Sequence, residues 1–151
     1  MFYFIIICLF MTSLAMDEDM VELAKLLRES CASETGVDLT LLDKVNAGAD
    51  LMPDPKLKCY TKCFMETAGM LSEGTVDIEA VIALLPEDFR KRNEAKIRAC
   101  GTQKGLDDCE TAFLTQACWQ KANKNSFICI LFVVLNYNIF CNFFKVLWFK
   151  S

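Results

Sequence analysis

The residues best equipped for chemistry in this 151-residue chain are its nine cysteines, and six of them stand in one frame. Cys31 is followed after 27 residues by Cys59, after 3 by Cys63, after 36 by Cys100, after 8 by Cys109 and after 8 by Cys118. An even set of thiols in an oxidising compartment can pair as disulfides, although spacing alone selects no particular pairing. Other thiol chemistry is poorly served. A four-cysteine zinc site would want paired short knuckles, which gaps of 3, 8 and 8 residues do not supply. The chain contains no histidine. That removes Ser-His-Asp and Cys-His catalysis, histidine-containing zinc sites and a histidine-driven pH switch together. No nucleophile–base pair, phosphate-cradling glycine loop or carboxylate pair can be assembled from the remainder. Asp107-Asp108 reads as charge at a helix N-terminus rather than as chemistry. The sequence argues against an enzyme and implies no cofactor or metal.

The N-terminus offers a route to an oxidising compartment. Residues 2–14 are almost wholly apolar and run into Ala15, then into the acidic stretch Met16-Asp17-Glu18-Asp19. Small residues at Ser13 and Ala15 suit signal-peptidase cleavage, and the apolar run is short for a membrane span. Residues 1–15 therefore read as the signal peptide of a secreted, extracellular protein. The other reading is an uncleaved anchor, because no Lys or Arg precedes the run. Cleavage would remove Cys8 and leave Cys129 and Cys141 outside the frame.

Residues 16–124 have the size of one domain. They carry 20 acidic and 14 basic residues, a net charge of −6, which argues against a nucleic-acid surface. The one basic cluster, Arg90-Lys91-Arg92, reads as a solvated helix face. Residues 125–151 are different material. From Ser126 onward there is no Asp, Glu, Gly, Ala, Pro or Arg, and Phe, Ile, Leu, Asn, Tyr and Lys make up 18 of 26 residues. Those types come largely from A/T-rich codons. This anomalous hydrophobic tail reads as translated noncoding sequence joined to a truncated gene, as a membrane-associated segment, or as a tail packed on the domain. Phe127 to Phe149 would reach about 34 Å as a helix. Asn136, Asn138, Asn142 and Lys145 are unfavourable in hydrocarbon. A membrane is a partner only if the 127–149 segment spans or anchors.

The elements that must position the cysteines read as helices throughout. Asp17 to Cys31 has acids in its first turn and an apolar stripe at Met20, Leu23, Ala24 and Leu27, with Gly36 closing the region. Asp38 caps a short helix over Leu39–Val45, closed by Gly48. A third helix runs from about Asp54 to Met70, and puts Cys59 and Cys63 on one side as i,i+4 neighbours. Ser72-Glu73-Gly74-Thr75 is a turn. Asp77 opens a fourth helix over Ile78–Leu85, which Pro86 stops. Pro86 begins a fifth through Ala99, ended by Gly101. Leu106 to Lys121 is the sixth, and its Cys109 and Cys118 leave opposite faces.

The cysteine spacing over residues 20–122 resembles the insect odorant-binding and pheromone-binding protein family. The resemblance implies an all-α, compact six-helix, disulfide-stapled domain around an apolar cavity. It implies the pairing Cys31–Cys63, Cys59–Cys109 and Cys100–Cys118. It also implies a secreted carrier for small hydrophobic ligands such as odorants or pheromones, with an olfactory receptor complex as a further partner. Closed loops of 33, 51 and 19 residues would each remove roughly 3–4 kcal/mol of unfolded-state entropy in the chain model, interlocked and so not additive. Such staples let a small shell tolerate an unfilled interior.

The inward helix faces then nominate Leu23, Leu27, Phe64, Met65, Ala68, Leu84, Phe89, Ile97, Phe113, Leu114 and Trp119 as pocket walls. The run Cys59-Tyr60-Thr61-Lys62-Cys63 with Ala68-Gly69 resembles the branch containing an alcohol- and pheromone-binding fly protein, where helix-three hydroxyls contact ligand heads. The corresponding positions here are Met65 and Met70, which have none, while Thr67 lies nearby. The rival from another class is a disulfide-stapled structural or interaction protein with a filled core, or a membrane-tethered binding protein if the tail is real. Oligomeric state is open.

Overall fold

The computed structural model describes residues 22–46, 49–85 and 87–122. The leader at 1–15, the tail at 125–151, Cys8, Cys129, Cys141, Gly48 and Pro86 lie outside the described residues. Helix α1 covers residues 22–35. It is followed by α2 (Leu39–Asn46), α3 (Pro55–Thr67), strands β1 (Leu71–Ser72) and β2 (Thr75–Val76), α4 (Ile78–Leu84), α5 (Glu87–Cys100) and α6 (Asp108–Ala122). Among the described residues, six helices and three disulfides make an all-α fold.

Acidic caps set most of the helix starts. The Asp54 side chain accepts from the Leu57 amide at 2.9 Å, with Pro55 behind it as first helical residue. Asp38, Asp77 and Asp107 accept in the same way from Thr40, Ala80 and Glu110. Asp107 is thus the cap of α6, which begins at Asp108, two residues later than the expected start at Leu106. At the other ends, Gly36 and Gly101 take left-handed φ values of 63° and 54° and close α1 and α5.

Two features differ from a purely helical reading. Helix α3 stops at Thr67 rather than Met70, because Gly69 turns left-handed at φ 72° and the Met70 amide reaches back to the Met65 carbonyl at 2.7 Å. The chain then forms a short antiparallel ribbon, with Leu71 opposite Val76 and Ser72 opposite Thr75. Glu73 and Gly74 in its turn both have positive φ, at 50° and 66°, the requirement of a two-residue hairpin loop with the right twist. Sequence alternation cannot announce strands two residues long.

The covalent ties join four helices. Cys31–Cys63 links α1 to α3, Cys59–Cys109 links α3 to α6, and Cys100–Cys118 links α5 to α6. Pairs expected to face one way or opposite ways do so: Cys59 and Cys63 reach two different helices, and α6 is held on two sides. Helices α2 and α4 depend on non-covalent contacts. Arg28 of α1 meets Asp43 of α2 at 2.6 Å, and Arg98 of α5 bridges Glu79 of α4 and Glu94. The Arg90-Lys91-Arg92 run lies on α5, where Lys91 pairs with Glu87 one turn earlier.

Candidate ligand-binding interior

The inner faces of the helices build one continuous apolar cluster. Helix α3 contributes Leu57, Tyr60, Phe64 and Met65, α4 contributes Val81 and Ile82, α5 contributes Phe89 and Ile97, and α6 contributes Ala112, Phe113 and Trp119. Helices α3 and α6 pack extensively against each other, and α6 is held near both of its ends. At one end Cys59 is bonded to Cys109, and Lys58 reaches Glu110 at 2.8 Å while standing 5.7 Å over the Phe113 ring. The Glu110 carboxyl is held below the usual carboxylate range, first by Lys58 and then by the Leu106 amide. At the other end Gln120 accepts from the Leu51 amide and donates to the Ala49 carbonyl.

Of the eleven residues nominated as walls, Phe64, Met65, Phe89, Ile97, Phe113 and Trp119 are buried together in this cluster. Leu27 and Ala68 are partly buried and pack against it. Leu23, Leu84 and Leu114 are not inside: they stand 60%, 41% and 38% exposed. The reason is helical phase for Leu114, which sits about 140° around α6 from Cys109. Leu84 ends a helix of seven residues, whose inward positions are Val81 and Ile82. On α1, Ala24 takes the inward position and Leu23 beside it does not. Met65 and Met70 are both buried, and Thr67 is exposed, donating to the Cys63 carbonyl at 2.8 Å.

The sequence reading missed Leu42, Leu57, Tyr60, Val81 and a set of polar residues. Thr61, Asn93, Thr111, Thr115 and Gln116 are all buried. Two of the threonines hold the α5–α6 loop: Thr115 accepts from the Gln103 amide at 2.9 Å, and Thr111 from the Gly105 amide at 3.0 Å. A surface recess lined by Lys62, Asp107, Asp108 and Cys109 is charged, and none of the eleven nominated residues belongs to it.

An all-helical shell, stapled across its centre and apolar within, matches known proteins over the same span. Residues 13–122 fit the model of the PBP/GOBP family. The chain belongs to the PBP/GOBP family. Among curated relatives, it is 35% identical over 98 residues to general odorant-binding protein 69a of Drosophila melanogaster. That match covers 64% of this chain and 66% of the relative, just under two thirds of its length. Among solved structures, it is similar to the medfly odorant binding protein CcapOBP22/CcapOBP69a at 29% identity and a TM-score of 0.60, covering 74% of this chain and 94% of that one. It is also similar to the fatty acid binding protein OBP56a from the oral disk of the blowfly Phormia regina, at 27% identity and a TM-score of 0.59, covering 72% and 96%.

Proposed function

We propose that this PBP/GOBP family member is a secreted carrier that takes up small apolar or amphipathic molecules, such as odorants or pheromones, and moves them through water. The observation that carries the reading is the continuous apolar interior spanned by Phe64, Met65, Phe89, Ile97, Phe113 and Trp119 inside a covalently tied helical shell. Those six, with Leu27 and Ala68 at its margin, are the walls against which a ligand would lie. The family resemblance and the fatty-acid-binding blowfly neighbour support the same class of cargo. Three disulfides need an oxidising compartment, which supports cleavage after Ala15 and export. No helix among the described residues is long and apolar enough to cross a membrane.

Burying roughly 300–400 Å² of ligand surface offers about 8–10 kcal/mol gross at 25 cal/mol per Å². Association costs leave micromolar affinity as the natural result. The test is displacement of a hydrophobic fluorescent probe from the purified protein by medium- and long-chain alcohols, esters and fatty acids. Failure of the whole panel would sink the reading in favour of a filled-core interaction protein. Delivery to an olfactory receptor complex is the finer step, and expression confined to saliva, haemolymph or reproductive tissue would overturn it without touching the biochemistry.

A further inference from the structure

Most polar side chains sunk into the interior are already committed. Thr61 donates to the Leu57 carbonyl, Asn93 to that of Phe89 and Thr115 to that of Thr111. Gln116 and Tyr60 differ. They are 2% and 0% exposed, and the Gln116 side-chain oxygen and the Tyr60 hydroxyl have no hydrogen-bond partner among the described residues. Enclosing such a group without a partner costs roughly 1–3 kcal/mol. An apolar side chain of similar volume would avoid that cost, so stability alone does not account for a glutamine here.

Its position is specific. Gln116 lies seven residues after Cys109, close to two full turns, and so leaves α6 on the side that carries the bond to α3. Gln120, one turn further along the same stripe, reaches the segment just before α3. Gln116 thus sits between the disulfide and the Gln120 clamp, with Ala112, Phe113 and Trp119 as its buried neighbours along the helix.

We propose that Gln116 Oε1 accepts a hydrogen bond from the hydroxyl head of an amphipathic ligand. The inference rests on the carrier reading and narrows its cargo from apolar molecules at large to long-chain alcohols and their donor-headed relatives. Met65 and Met70 offer no donor and only weak acceptors.

The test compares 1-dodecanol with 1-methoxyundecane, which has the same number of heavy atoms and no donor, by probe displacement on the full chain. The wild type should prefer the alcohol about tenfold, or about 1.4 kcal/mol. Gln116→Met should bring the ratio close to one while ether affinity stays within about twofold. In the wild type, the Gln116 side-chain carbonyl carbon resonance should move on adding the alcohol and not the ether, a readout independent of how the variants fold. Equal wild-type affinity for both compounds, an unchanged ratio in Gln116→Met, or a silent carbonyl resonance overturns the proposal and leaves the carrier reading standing. Binding of neither compound, nor of any other in the panel above, removes the carrier reading and this one with it.

Discussion

Lys58 of α3 meets Glu110 of α6 at 2.8 Å, one residue along each helix from the Cys59–Cys109 bond. A covalent tie and an ion pair therefore set the same register, and their contributions can be separated. Replacing Cys59 and Cys109 together by serine opens a loop of sequence separation 50 and should cost roughly 4 kcal/mol. Replacing Cys100 and Cys118, at separation 18, should cost roughly 3 kcal/mol. Lys58→Met should cost clearly less than either, because both charged groups are partly in water. Urea midpoints of the three variants check the order, and a Lys58 variant as weak as the Cys59/Cys109 pair would refute it.

Acid should act late. The carboxyls of Glu79, Asp38 and Glu110 are all held below their ordinary values, by the Arg98 guanidinium, the Thr40 amide and Lys58 respectively. A carboxyl depressed in the folded state contributes stability that is present above its unfolded pKa, roughly 4, and is lost as pH falls through the folded value. The chain has no histidine, the side chain whose ordinary pKa lies between 5 and 8. Ligand affinity is expected to change less than about threefold between pH 7 and 5.5 (roughly 0.7 kcal/mol). A tenfold loss in a binding titration over that interval would point to a buried carboxyl with a raised pKa.

Alkali should act through Tyr60. Burial raises its hydroxyl to about 12, so the folded state keeps a proton that the unfolded chain releases near 10. The associated stability is complete below about pH 10 and falls as pH rises towards the folded value. The melting temperature of the wild type should drop between about pH 10 and 12, and Tyr60→Phe should flatten that drop. An equal drop in both proteins would assign the alkaline loss elsewhere.

The α5–α6 loop should loosen without the buried threonines. Thr111→Val and Thr115→Val each leave a loop amide, of Gly105 or Gln103, without its acceptor. Each should cost about 1–3 kcal/mol. Amide hydrogen exchange should accelerate at Gly105 in the first variant and at Gln103 in the second. No change at either amide would show that the loop is held by other contacts.

Gly74 should resist substitution for two separable reasons. Its φ is 66°, and a Cβ there would clash with an Asp108 carboxylate oxygen. Gly74→Ala should lower stability by about 1–2 kcal/mol through backbone strain alone, with the clash added. Asp108→Ala in the same background should recover the clash and leave the strain. Thermal melts of the single and double variants would show full recovery if strain were absent.

The helices were legible because caps and stops are local chemistry: Asp54 with Pro55, Asp38, Asp77, Gly36 and Gly101 each act within a few residues. The apolar wall was legible only where hydrophobicity and helical phase agreed, as at Phe64, Ile97 and Trp119. Leu23, Leu84 and Leu114 show the limit, since being apolar at roughly the right spacing does not say which neighbour takes the inward position. Helix α6 hid its inner face most thoroughly. Threonines and a glutamine line it alongside Ala112, Phe113 and Trp119, so hydropathy and burial part company there. The amides of Gln103 and Gly105 that make Thr115 and Thr111 tolerable are met only when the α5–α6 loop folds back on the helix, which hydropathy does not register.

The three disulfides trace a path through the helices that ignores chain order: α1 to α3, α3 to α6, α6 to α5. Four helices thereby form a rigid frame, and α2, α4 and the small ribbon are panels hung in it. A frame of this kind cannot breathe by separating its beams without breaking a sulfur–sulfur bond. Among the described elements, the cheap motions belong to the panels, and α4 is the lightest of the helical ones, seven residues latched to the frame by Glu79 and Arg98 at the surface.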